Sequence, residues 1–127
     1  IKRNKKELLQ RIEEVDETIK SKLKPYRNRA FIIYHPALAY FAEEYQLEQI
    51  AIEHHSKEPS ARDMELIMKR GNEMNINTVF IQQQFDRQSA MTIAGELKSQ
   101  VVTINPLSEK WDEAMLDIAS KIESSFK

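Results

Sequence analysis

Three histidines, His35, His54 and His55, are the side chains here that bring nitrogen to a metal, and there is no cysteine. Neutral imidazole binds zinc well at about 2.0–2.1 Å, usually beside further histidines or a carboxylate. The absence of cysteine removes disulfides, thiolate metal sites and cysteine nucleophiles together. No histidine sits in a local motif such as H-E-x-x-H, so a metal site has to be assembled by the fold. His35 stands in "FIIYHPALAYF" (31–41), where an apolar run ends and Pro36 follows. Two readings of it are open at this point: a hydrogen-bonded structural histidine, the commoner fate of a lone one, or a ligand. His54 and His55 are adjacent, and neighbours on an extended segment point opposite ways, which does not suit one ion. A solvated loop before "SKEPSA" is their plainer reading.

Other chemistries fail on the same inventory. Gly71 and Gly95 are the only glycines, so neither a dinucleotide fingerprint nor a P-loop can be built. There is no G-x-S-x-G elbow for a hydrolase of that type. Nothing singles out a carboxylate pair for acid–base work, and the expectation is a protein that is not an enzyme. With 19 basic and 20 acidic residues the chain is nearly neutral, which gives no reason to expect nucleic acid or an anionic membrane as partner. No apolar stretch approaches the roughly 18 residues of a membrane span. At 127 residues the chain fits one compact domain. Its abrupt start at Ile1-Lys2-Arg3-Asn4 suggests a fragment of something longer.

The elements that must position these residues alternate. Leu8, Ile12, Val15, Ile19 and Leu23 share one face of a first helix over Lys5–Lys24, about 30 Å long, which Pro25 stops. Such a length spans a small domain, so one end is expected to lie on a neighbour absent from this chain. Then come four short β-branched or aromatic runs, 30–34, 49–53, 77–82 and 100–104. Helical patterns separate them: Pro36 to Tyr45 with proline in the first turn, Ser60 to Met74 with Ser60 and Asp63 as a capping pair, and one from about Asp86. A last helix turns Trp111, Met115, Ile118 and Ile122 inward. The aromatic residues of 31–45 are read as core. Strand and helix in this order predict an α/β fold, a four-stranded parallel sheet flanked by helices and preceded by a long helix.

Ligands of open parallel sheets bind beyond the carboxyl ends of the strands. The residues arriving there are His35; Glu53, His54 and His55; Gln82, Gln83 and Gln84; and Asn105 before Pro106. All four ends are polar, and two carry imidazole.

The segment "YHPALAYFAEEYQLEQIAIEHHSKEPSARDMELIM", followed by "VFIQQQF", "SAMTIAGEL" and "NPLSEKW", resembles one family. It is similar to the C-terminal lobe of the metal-binding proteins that feed zinc or manganese to ABC importers, the zinc branch in particular. The combination of "YH", "KEPS" and "NPL" in this order is what makes the resemblance specific, and it runs from about Lys5 to Ile122.

The resemblance implies two lobes joined by a rigid helix, with the metal in the cleft between them. Residues 1–26 would then be the distal part of that connector and 27–127 the C-terminal lobe, the N-terminal lobe with its own histidines being absent. His35 falls on the family's first ligand from this lobe, which is histidine in zinc proteins and often glutamate in manganese ones. Asn105 stands where the family often has aspartate in a "DPL" motif, and Gln82 where many relatives have glutamate. A neutral amide is a weaker ligand than a carboxylate, so a histidine-dominated zinc site survives these changes better than a manganese site. No ligand role passes to His54 or His55. The implied partners are a divalent ion and a membrane permease, with weak zinc binding by the lobe alone and self-association through its open cleft face. The implied location is the periplasm or cell surface, with a lipid anchor among the options. The competing expectation is a metal-independent α/β binding module in which His35 is structural.

Overall fold

The computed structural model describes residues 5–53, 57–82, 88–106 and 109–127. Helix α1, Lys5–Leu23, runs into a 3₁₀ turn at Lys24–Tyr26 that holds Pro25, where the sequence placed the stop. There follow β1 Ala30–Ile33, α2 Ala39–Glu44, β2 Glu48–Ala51, α3 Ala61–Glu73 and β3 Thr78–Gln82. The chain closes with α4 Gln88–Glu96, β4 Gln100–Ile104 and α5 Trp111–Phe126. The four strands form one parallel sheet in the order β2-β1-β3-β4. No helix among the described residues is long and apolar enough to cross a membrane.

Every residue of the two central strands is buried, whereas the edge strands β2 and β4 are partly open. Alternation along β1 sends Phe31 and Ile33 to one face and Ile32 and Tyr34 to the other. On the first face they join Val15, Ile19 and Leu23 of α1, Phe41 of α2, and Ile118 and Ile122 of α5. On the second face Ile32, Val79 and Ile81 meet Ile67 of α3 and Ile93 of α4. The molecule is thus a three-layer sandwich, and the chain reverses its winding between β1 and β3.

Local rules set the helix ends. Ser60 accepts from the Asp63 N–H and the Asp63 carboxylate accepts from the Ser60 N–H, both at 3.1 Å, so the expected capping box forms. Gln46, Asn75 and Lys98 adopt left-handed φ of 59°, 55° and 53° after α2, α3 and α4. Leu47, Ile76 and Ser99 then donate back to the carbonyls of Ala42, Gly71 and Ala94 at 2.7–2.9 Å, the Schellman closure. With so few glycines, non-glycine residues hold all three positions, a cost of about 1–2 kcal/mol each in backbone strain. Gly71 has a separate role, because a Cβ there would lie 2.7 Å from Leu97 Cδ1. It lets the α3 backbone approach the residue that follows α4.

Three expectations are corrected. Pro36 does not open a helix: the Ala37 N–H donates to the His35 carbonyl at 2.7 Å, a three-residue turn around the proline, and α2 starts at Ala39. Proline's fixed φ suits the centre of such an inverse γ-turn. Trp111, expected inward, is exposed at the first residue of α5, and Tyr40 is exposed as well. Leu8 and Ile12 are also exposed, although they continue the stripe of Val15, Ile19 and Leu23. The expected helix start near Asp86 lies outside the described residues, and α4 is described from Gln88.

Candidate metal centre

β1 ends one residue short of a bend, and His35 stands two residues past its last paired position. Backbone hydrogen bonds carry the sheet past the strand end: the Tyr34 N–H donates to Phe80, and the Ile52 and Glu53 N–H groups donate to Ile33 and Tyr34, all at 2.9 Å. The turn at Pro36 then swings the chain toward α2, where the Leu38 N–H finds the Gln49 side-chain oxygen at 2.8 Å. His35 is therefore delivered to the carboxyl rim by a segment anchored on both neighbouring strands. Its imidazole is half-buried.

The extended pairing of β1 with β2 brings Glu53 beside it. His35 Nδ1 lies 3.0 Å from Glu53 Oε1, whose side chain is largely buried. An ionised carboxylate can only accept, so in the neutral ring the hydrogen sits on Nδ1 and the lone pair on Nε2. This is the arrangement in which a carboxylate orients a metal-binding histidine and raises its basicity. Glu53 stood among the strand-end residues in sequence, but its role was missed. The usable signal was its position, as many residues past the start of β2 as His35 is past the start of β1.

The other strand-end residues are placed differently. Gln82 is the last residue of β3 and is buried. Asn105 follows β4 directly and is exposed, one residue beyond Ile104, which pairs with Gln82. His54, His55, Gln83 and Gln84 lie outside the described residues. Among the described residues no three histidine, cysteine or acidic side chains gather closely enough to enclose an ion. With Nδ1 on Glu53, His35 brings one further nitrogen, Nε2, to this rim. Zinc with nitrogen and oxygen ligands takes about four.

Comparison with known proteins identifies relatives of this chain. Residues 1–123 match the model of a family described as "Zinc-uptake complex component A periplasmic". The high-affinity zinc uptake system protein ZnuA of Bacillus subtilis is 27% identical over 107 residues, which are 83% of this chain and 34% of that protein. The zinc-binding protein AdcA of Streptococcus pyogenes is 24% identical over 116 residues, 90% of this chain and 22% of that protein. A crystal structure of ZnuA superposes with a TM-score of 0.90 at 34% identity, covering 94% of this chain and 47% of that one. The chain spans about a third or less of these curated relatives and about half of the solved chain. The match over nearly all residues, with the shared α/β lobe, makes this chain a member of the zinc-uptake complex component A family of solute-binding proteins.

Proposed function

We propose that this chain is the C-terminal lobe of a zinc-uptake solute-binding protein, with residues 1–26 the distal part of the inter-lobe helix and 27–127 the lobe. The complete protein captures zinc as cargo in the cleft between lobes and hands it to the permease of an ABC importer, in the periplasm or at the cell surface. No covalent chemistry is involved. His35 contributes Nε2 to the ion while Glu53 fixes the ring through Nδ1. The second lobe supplies the remaining donors, so the lobe alone binds zinc weakly.

The observation that carries this reading is the His35 Nδ1–Glu53 Oε1 contact of 3.0 Å at the carboxyl rim of the sheet. Exposed Leu8, Leu9 and Ile12 on the first half of α1 support a second lobe lying against that end. Asn105, exposed at the same rim, is a neutral oxygen within the family's motif and a weak additional donor.

Zinc and protons compete for the same lone pair, so occupancy falls as the solution is acidified. The test is zinc titration of the full-length protein beside its His35→Ala and Glu53→Gln variants. His35→Ala is expected to lose most of the affinity, and Glu53→Gln about 10–100-fold. An unchanged affinity in His35→Ala refutes the assignment. Asn105→Asp tightens binding or broadens metal choice if that position faces the ion.

A further inference from the structure

Gln82 is a strand-end residue that the proposed site does not use. Ile33 pairs with Phe80 across β1 and β3, so two residues further on Gln82 comes level with His35. Adjacent strands lie about 4.8 Å apart. His35 therefore stands between the Glu53 strand and the Gln82 strand, at the point where the winding reverses. Alternation along β3 puts Gln82 on the same face as Phe80, in the core shared by α1, α2 and α5. It is 2% exposed. Among the buried side-chain nitrogen and oxygen atoms of the described residues, Gln82 Oε1 is the one without a hydrogen-bond partner.

Folded proteins leave few such atoms unsatisfied, and those that remain often mark function. An acceptor with no donor against it projects the negative end of its dipole undiminished, and it does so in a low-dielectric surround. That dipole attracts a cation without adding charge. A carboxylate at the same place would put a second full negative charge beside Glu53. Imidazole suits zinc, whereas manganese, magnesium and calcium favour carboxylate oxygen.

We propose that Gln82 is a specificity-determining residue of the site: its buried amide dipole, standing where a carboxylate would add charge, tilts the cleft toward zinc over manganese. The inference rests on the reading above that places the ion at His35. Because Oε1 is buried, Gln82 acts through the field it sets at the rim and not as a ligand.

The experiment measures zinc and manganese affinities by competition in the full-length protein and in its Gln82→Glu, Gln82→Met and His35→Ala variants. Gln82→Glu is expected to reduce the zinc-to-manganese preference about tenfold or more, the scale of other residues that act on a metal from behind its ligands. Gln82→Met keeps the length but removes the dipole, and should weaken zinc several-fold, within the same scale. Unchanged affinities in both variants would mean that the glutamine plays no part at the site and overturn the inference. If Gln82→Glu does not fold, Gln82→Met decides alone. Zinc affinity that survives His35→Ala removes the ion from this rim, and both readings fall. Loss in His35→Ala with no change at position 82 overturns the present one only.

Discussion

The two halves of α1 carry the same apolar spacing and meet different fates. Ile19 is fully buried beneath α5 and the sheet, while Ile12, two turns earlier on the same stripe, is 42% exposed. The difference lies in what stands opposite. Val15, Ile19 and Leu23 face Ile118, Ile122 and the sheet. Leu8, Leu9 and Ile12 lie around the level where Arg11 meets Asp112 at the start of α5, and they are exposed there together with Trp111. Periodicity shows that a helix face is apolar; the length of the partner element decides how much of it this chain covers. The uncovered half belongs with the lobe proposed to lie beyond it.

Removing side chains on either side of that divide gives the largest expected contrast. Ile19→Ala should cost about 2–5 kcal/mol in denaturant unfolding, from lost burial and a residual cavity. Ile12→Ala should stay within about 0.5 kcal/mol in the isolated chain. Equal losses would erase the distinction. If the second lobe covers Ile12, the same substitution should cost visibly more in the full-length protein.

The polar contacts of the two halves differ in a way that pH can read. Tyr45 donates to Asp16 on the covered half at 2.8 Å, and burial together with that bond raises its pKa above the usual tyrosine range. A raised folded pKa means that stability is fully present below about pH 10, the unfolded value, and is lost as pH climbs toward the folded one. Tyr45→Phe should flatten that alkaline decline in thermal unfolding; an unchanged slope would detach the bond from stability.

The smallest effect belongs to the uncovered half. Arg11 Nε reaches Asp112 Oδ2 at 3.1 Å, and its hydrogen bond holds the Asp112 carboxyl below the ordinary carboxylate range. Here stability is present above about pH 3.9, the unfolded value, and disappears as pH falls through the lower folded one. Exposed ion pairs contribute little and are screened by salt. Arg11→Gln should therefore soften the acid limb slightly at low salt and not at high salt. A large effect, or one indifferent to salt, would show the pair to be shielded as the covered half is.

The architecture was legible because its signals are local. Four β-branched runs, Pro25 after α1 and the capping box of Ser60 and Asp63 each act within a few residues, and each recurs in the structure. What escaped depends on partners distant in sequence. The burial of Trp111 hung on how far α1 and α5 overlap, and the pairing of Glu53 with His35 on β2 lying next to β1. The left-handed caps escaped for a different reason: Gln46, Asn75 and Lys98 stand where glycine is the usual marker. Pro36 was misplaced because proline suits both a helix first turn and a tight turn, and only the bond from Ala37 to His35 separates them. Of the site, His35 and its position at a strand end were readable, while the carboxylate that selects its tautomer was not.

The central claim is that His35 offers Nε2 to zinc while Glu53 keeps Nδ1. Anomalous difference density at the zinc edge, from crystals of the full-length protein loaded with zinc, tests it directly. The account predicts a peak about 2.0–2.1 Å from His35 Nε2, with the Glu53 carboxylate still against Nδ1. A peak on Nδ1 with Glu53 displaced, or one away from this ring altogether, would contradict it.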